Sequence, residues 1–185
     1  MADHAVQIHI YPEPHSTGRT ERLLGLSRAY ALSLGQNPAS ITSPLRSQEG
    51  KPYFPHAPWL HFSITHSGDY WLCALGTIPL GLDLQRHQDC DRAAIAQRFF
   101  HPLEQSYLEH TAYQDFYSIW AAKESYLKYT GQGLPGGLNG FSVVADGALA
   151  ASVNGAALHH LPFSEEYSLC LCGQLSTPIQ LQWHG

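Results

Sequence analysis

Tyr70-Trp71-Leu72-Cys73-Ala74-Leu75-Gly76 recurs, at Tyr, Leu, Cys and Gly, as Tyr167-Ser168-Leu169-Cys170-Leu171-Cys172-Gly173. Both stretches are short, apolar and closed by glycine, the pattern of a buried strand. Each closes a segment in which a helical pattern precedes strands. This echo predicts an α+β chain of two similar lobes, residues 1–78 and 79–185, with the second repeating the plan of the first. The seam between such lobes is a natural place for a ligand.

Working outward from the first copy, residues 59–65 and 70–75 read as a hairpin around Ser67-Gly68-Asp69, and 80–85 as a further strand. Upstream, 16–34 reads as a helix stopped by Gly35, followed by a Pro/Ser-rich connection over 37–58. Downstream, 91–109 reads as helical with an interruption at Pro102, and 112–129 is the strongest helical pattern. After Gly131-Gln132-Gly133 the expected strands are 140–145, 148–153, 167–172 and 179–183.

With 44% hydrophobic and 14% charged residues, the chain has the material for a core and not the composition of a disordered segment. The apolar stretch 70–82 is short for a bilayer span, contains Gly76 and Pro79, and ends at Asp83. Met1-Ala2-Asp3-His4 lacks the basic start and apolar run of a signal peptide, so a cytoplasmic protein with no membrane partner is expected. A net charge of −5 with ten basic residues argues against a nucleic-acid partner. No basic residue follows Lys128, and the lysines are Lys51, Lys123 and Lys128 alone. Such focused use of cations suits a small, highly anionic ligand.

The four cysteines, Cys73, Cys90, Cys170 and Cys172, make no CxxC. Cys170 and Cys172 share one strand face and could form a thiolate metal site, but the preferred reading is small buried side chains in a reducing compartment. The twelve histidines show no HExxH spacing.

In Leu80-Gly81-Leu82-Asp83-Leu84-Gln85, alternation places the leucines on a core face and Gly81, Asp83 and Gln85 on the other. Two oxygen-bearing side chains at i and i+2 on a rigid strand can meet a hard cation, and Gly81 would let a ligand approach the backbone. A solvated acidic strand edge is the competing reading. Along 116–129, Trp120, Lys123, Glu124, Leu127 and Lys128 share one side while the other carries no charge. A helix without a wet face is largely buried, so its three charges need partners. An intrahelical Glu124–Lys128 pair would account for two and leave Lys123 unexplained. Phe62-Ser63-Ile64-Thr65-His66-Ser67-Gly68 ends a strand with polar groups, and His66, Ser67 and the turn amides could hold a phosphate.

In order, Gly50-Lys51-Pro52, Phe62 to Ser67, Gly81 to Gln85 and Trp120 to Lys128 resemble the GKP, FNxSHS, GxDxE and WxxKExxxK motifs of 4'-phosphopantetheinyl transferases of the surfactin-synthetase-activating type. The resemblance spans residues 50–134. It implies a pseudo-twofold monomer of two α+β lobes with coenzyme A between them. It also implies Mg²⁺-dependent transfer of phosphopantetheine to a serine of an apo carrier protein, acyl or peptidyl, releasing adenosine 3',5'-bisphosphate. Carried over, Asp83 and Glu124 bind Mg²⁺, with Gln85 where the family has a second acid. Lys128, His66 and Ser67 serve the phosphates, and Lys51 and Pro52 line the adenine. Glu124 is the base for the carrier serine, Lys123 supports the same cluster, and Glu104 matches an FFxxxE segment as a lesser catalytic candidate. With no lysine before Lys51, the clamp on the 3'-phosphate falls to Arg22, with Arg19 and Arg28 as alternatives.

Gln85 adds no negative charge, which predicts weaker metal binding. Two other readings remain: a non-catalytic coenzyme A-binding regulatory module, and a Mg²⁺-dependent nucleotide pyrophosphatase. A carrier-docking surface separates the transferase from both, and Arg86, Arg92 and Arg98 with Phe99 and Phe100 are its candidates.

Overall fold

The computed structural model describes residues 5–12, 18–132, 137–174 and 178–185. In chain order come β1 (Val6–Pro12), α1 (Arg19–Ser33), the short pair β2 (Leu45–Arg46) and β3 (Pro52–Tyr53), the hairpin β4 (His61–Ser67) and β5 (Tyr70–Gly76), and β6 (Leu80–Arg86). Three helices follow: α2 (Arg92–Phe99), α3 (Pro102–His110) and α4 (Phe116–Thr130). The rest is β7 (Val144–Ala145), β8 (Ala148–Leu149), β9 (Ser152–Val153), β10 (Ala156–Ser164), β11 (Tyr167–Gly173) and β12 (Ile179–Trp183). The α+β class expected from the sequence is what forms.

Two four-stranded sheets carry the fold, in the orders β12-β1-β5-β4 and β6-β11-β10-β9. The two copies of the sequence echo, β5 and β11, are both interior strands, one in each sheet. The last strand does not stay with its neighbours in sequence. β12 pairs in parallel with β1, Val6 opposite Ile179 and Ile10 opposite Trp183, so chain from beyond residue 78 completes the first sheet. One buried cluster joins the sheets, drawing Val6, Ile8 and Ile10 against Leu80, Leu82, Leu84, Leu169 and Leu171. Each of these fully buried aliphatic side chains contributes about 1.5–3 kcal/mol.

β4 and β6 are the facing edges of the two sheets, and hydroxyl groups join them. Ser63 Oγ accepts from the Leu82 amide (2.9 Å), Thr65 Oγ1 from Leu84 (3.3 Å) and Ser67 Oγ from Arg86 (2.8 Å). The constant offset means the strands run parallel, with side-chain oxygens standing in for ladder carbonyls and leaving no amide of this set unpaired.

Local chemistry explains the helix ends. Asp91 caps α2 by accepting from Ala94 N at 2.9 Å. His101 and Glu104 form a capping box around Pro102, which ends the preceding helix and starts α3. The expected helix from 112 starts at Phe116 because Ala112 and Tyr113 hold left-handed φ of 52° and 60°. Gly131, at φ 78°, closes α4. The expected start of α1 at 16 and the glycine at 133 lie outside the described residues.

Four readings need correction. Residues 140–145 do not form one strand: a 3₁₀ turn, Leu138–Gly140, precedes the two-residue β7. Residues 148–153 do not either: the expected strand divides into β8, which pairs with β7, and β9, which pairs with β10. β1 was not anticipated, although Val6-Gln7-Ile8-His9-Ile10 alternates as an edge or half-buried strand should. β10 was missed because His159, His160 and Pro162 dilute its pattern; its register shifts between Leu161 and Ser164, a bulge that accommodates the proline.

Candidate functional site

The site begins at Gly81. A side chain there would run into the backbone of α4 at Ser125 O and Tyr129 N, so β6 and α4 touch main chain to main chain. The expectation that Gly81 admits a ligand is therefore corrected: the helix itself occupies that space. This approach brings the outward face of β6 against the charged face of α4.

Asp83 is 4% exposed, not a solvated edge. Its Oδ1 accepts from Lys128 Nζ at 2.7 Å and from Thr65 Oγ1 at 3.2 Å, and its Oδ2 accepts from Gln85 Nε2 at 2.7 Å. Lys128 also donates to Leu82 O at 3.0 Å. The ion pair Lys128 forms is thus with Asp83 across the strand–helix contact. Glu124 is half-buried beside them. Burial first, and the Asp83 charge second, push its carboxyl above the ordinary value, with Lys128 pulling the other way.

Two cavities of about 290 and 310 Å³ meet at Ile64, Glu124 and Lys128. The first runs along Arg46, Gly50, Lys51, Pro52 and Ser63. The second runs along Thr65, His66, Ser67, Asp83, Gln85 and Arg19, with Trp71 behind. Sites proposed from four separate stretches of sequence therefore line one continuous cleft. Lys51 Nζ donates to Tyr129 O at 2.5 Å, at the end of α4, and burial lowers its amine below the ordinary value. His66 is exposed on the cleft wall.

Other candidates lie elsewhere. Lys123 and Glu104 line neither cavity. They pair with each other at 2.7 Å with no exposed side-chain surface, and Lys123 also donates to Phe141 O at 2.6 Å. Glu104 further accepts from Val143 N and His101 N. Lys123 thus points to the α3 side of the helix, away from the Glu124–Lys128 face. One helical step of about 100° carries it there. Arg22 lies over the rings of Tyr11 and Trp71, at 4.6 and 5.4 Å, whereas Arg19 lines the second cavity. Arg28 is tied to Ile41 O at 3.2 Å.

Of the expected docking patch, Phe100 is core at 1% exposure, Arg86 pairs with Asp69 at 3.5 Å and Arg92 lies over Tyr117. Arg98 and Phe99 remain exposed. Cys73, Cys170 and Cys172 are buried, and burial pushes the last two thiols up to about 12, which suits inert packing. Thr65 and Arg46 are site residues that sequence reasoning missed. The alternation of hydroxyls at 63, 65 and 67 was the available signal for Thr65.

The atoms that Asp83 and Glu124 can offer a metal are carboxylate oxygens. Two acids with a raised carboxyl between them suit a hard divalent ion, which would relieve their repulsion. Among the described residues no group of three or more His, Cys, Asp and Glu gathers.

A sequence model of the 4'-phosphopantetheinyl transferase superfamily matches residues 79–173. A 4'-phosphopantetheinyl transferase of Bacillus subtilis is 36% identical over 154 residues, 78% of this chain and 68% of that protein. The transferase Sfp of Bacillus subtilis strain 168 is 41% identical over 100 residues, 51% of this chain and 43% of its own length. The transferase gsp of Aneurinibacillus migulanus is 33% identical over 125 residues, 64% of this chain and 52% of its own. Against the last two, the chain spans about half the length of its relative. No helix among the described residues is long and apolar enough to cross a membrane.

Proposed function

This chain belongs to the 4'-phosphopantetheinyl transferase superfamily, and from that premise we propose that its cleft binds coenzyme A and transfers the 4'-phosphopantetheine group to a serine of an apo carrier protein, acyl or peptidyl. The product left behind is adenosine 3',5'-bisphosphate. The observation that carries this reading is the convergence of Asp83, Glu124 and Lys128, from strand and helix, on one cleft.

Asp83 and Glu124 would hold a Mg²⁺ ion, which would supply counter-charge for a pyrophosphate, and the side-chain amide of Gln85 could contribute an oxygen to the same set. Lys128, already fixed against Asp83, offers a second cation for the charge that develops on the leaving oxygen. Glu124, with its raised carboxyl, accepts the proton of the carrier serine directly or through water. The serine Oγ then forms a bond to the phosphorus that bears pantetheine, and the bond from that phosphorus to the bridging oxygen breaks. The enzyme needs no nucleophile of its own. Lys51 and Pro52 line the cavity suited to the adenine, and His66, Ser67 and Arg19 the cavity suited to the phosphates. Arg98 and exposed Phe99 are the remaining candidates for carrier contact.

The deciding experiment incubates the protein with coenzyme A, Mg²⁺ and an apo carrier, and weighs the carrier. A gain equal to phosphopantetheine supports the transferase. An unchanged carrier with coenzyme A cleaved supports the pyrophosphatase, and neither change supports a binding module.

A further inference from the structure

β12 is the strand that returns from the later chain to the first sheet, and its end is held on both faces. On one face Trp183 stacks on Phe163, ring centroids 5.1 Å apart, and meets Tyr70 edge-on. On the other, His184 lies flat on Tyr11 with 4.1 Å between centroids, and its Nε2 stands 3.0 Å from Nδ1 of His9. The His184 amide donates to Ile10 O at 3.0 Å and carries the pairing with β1 past Trp183. His9 is 6% exposed, whereas His184 is half-buried. Two imidazoles joined nitrogen to nitrogen have room for one proton between them, so one ring donates and the other accepts. His9 Nε2, on the far side of its ring, is buried and meets no hydrogen-bond partner among the described residues.

We propose that His9 and His184 form an acid-sensitive latch: the end of β12 stays on the first sheet while His9 is neutral, and comes away when His9 takes up a proton. An imidazolium carries two N–H groups, and at His9 one of them would be buried unpaired while the other pointed at a second imidazole. A single added proton is borne by His184, which water reaches. The surroundings of His9 offer a second one no counter-charge. β5 presents the buried thiol of Cys73 opposite His9, and β12 presents His184. α1 presents Tyr30, whose hydroxyl donates to Ala5 O, and the cation of Arg22, which lies over Tyr11 of β1 itself. Among the described residues neither imidazole is in an ion pair with a carboxylate. In keeping with this, burial first and His184 second lower His9 from 6.5 to about 4.

A histidine lowered on folding gives stability that is present above its unfolded value and lost as pH falls. Opening of β12 frees His9 to titrate as an ordinary imidazole, so opening should increase about twentyfold between pH 7 and pH 5. Hydrogen exchange of the whole protein, followed by mass spectrometry and corrected for the intrinsic effect of pH, reads this at residues 178–185 with α4 as the internal reference. His9→Phe keeps a ring beside His184 and cannot charge, and the rise should shrink to within about threefold. His184→Phe keeps the stack on Tyr11 and removes the nitrogen that faces His9. It should speed exchange of β12 about fivefold at pH 7, the scale of one lost hydrogen bond. NMR titration of the wild-type imidazoles needs no variant, and His9 should remain neutral at pH 5. The proposal is overturned if exchange at β12 rises no more than at α4, or if His9→Phe keeps the wild-type rise. It is equally overturned if His184→Phe exchanges like wild type at pH 7, or if His9 charges near the ordinary value with β12 still closed.

Discussion

Lys123 and Glu104 form an ion pair, 2.7 Å from Nζ to Oε1, with neither side chain reaching solvent. The pair joins α4 to α3, and through Phe141 O and Val143 N it also holds the chain before β7. Burial lowers the Lys123 amine and the Glu104 charge raises it, so the lysine depends on the glutamate beside it to stay charged.

Removing one partner leaves a buried charge. Lys123→Ala is expected to cost about 3–5 kcal/mol, whereas the joint change Lys123→Met with Glu104→Leu should recover most of it. Urea unfolding of both variants beside the wild type checks this. A double variant that is stable and still transfers would place both residues in the scaffold; one that is stable and inert would restore them to the chemistry.

Gly81→Ala should be more damaging than its size suggests, because the added methyl meets the α4 backbone at Ser125 O and Tyr129 N, neither of which can rotate aside. Overpacking of this kind costs about 1–3 kcal/mol. It also pushes Asp83 away from Lys128, so coenzyme A binding should fall in protein that remains folded, measured by calorimetry at a temperature well below the melting point.

Glu124 makes a prediction with a sign. Its carboxyl is raised in the folded state by burial and by Asp83, from a reference of 4.5. A group raised on folding contributes stability fully below its unfolded value, and that contribution is lost as pH rises through the folded value. Glu124→Gln should therefore unfold at a higher denaturant concentration than wild type at pH 8, while the two converge toward pH 4. The same variant should lose about 10²- to 10⁴-fold in transfer, the range for a general base. Wild-type transfer should rise with pH through the raised value. A Gln variant that turns over normally would remove Glu124 from the mechanism.

Gln85 donates to Asp83 Oδ2 at 2.7 Å, a contact a glutamate cannot make. Gln85→Glu is expected to tighten Mg²⁺ binding on the order of tenfold by adding a charged oxygen. It should also destabilise the metal-free protein by about 0.5–1.5 kcal/mol through the lost hydrogen bond. Melting with and without Mg²⁺ measures both. An Mg²⁺ response identical to wild type would put Gln85 outside the reach of the metal.

Much of this site was legible before any coordinates. The alternation in 80–85 placed Asp83 and Gln85 together, and a helix with no wet face announced that Lys123, Glu124 and Lys128 had partners. What those partners are was not legible. Glu124 and Lys123 are adjacent in sequence, yet one faces the cleft and the other the α3 side, and a wheel drawn in projection placed them on one face. Thr65 read as part of an ordinary polar strand end because its acceptor lies on a different sheet.

Local sequence, then, determined where strands and helices form and which residue types they present, because periodicity, caps and glycines act over a few neighbouring residues. Whether β12 joins the first sheet, whether Gly81 meets a ligand or a helix, and which acid each lysine finds were decided by the tertiary structure. Those outcomes depend on how two separately formed sheet edges approach, and the Coulomb and hydrogen-bonding terms that choose among partners become strong only after water has been excluded from between them.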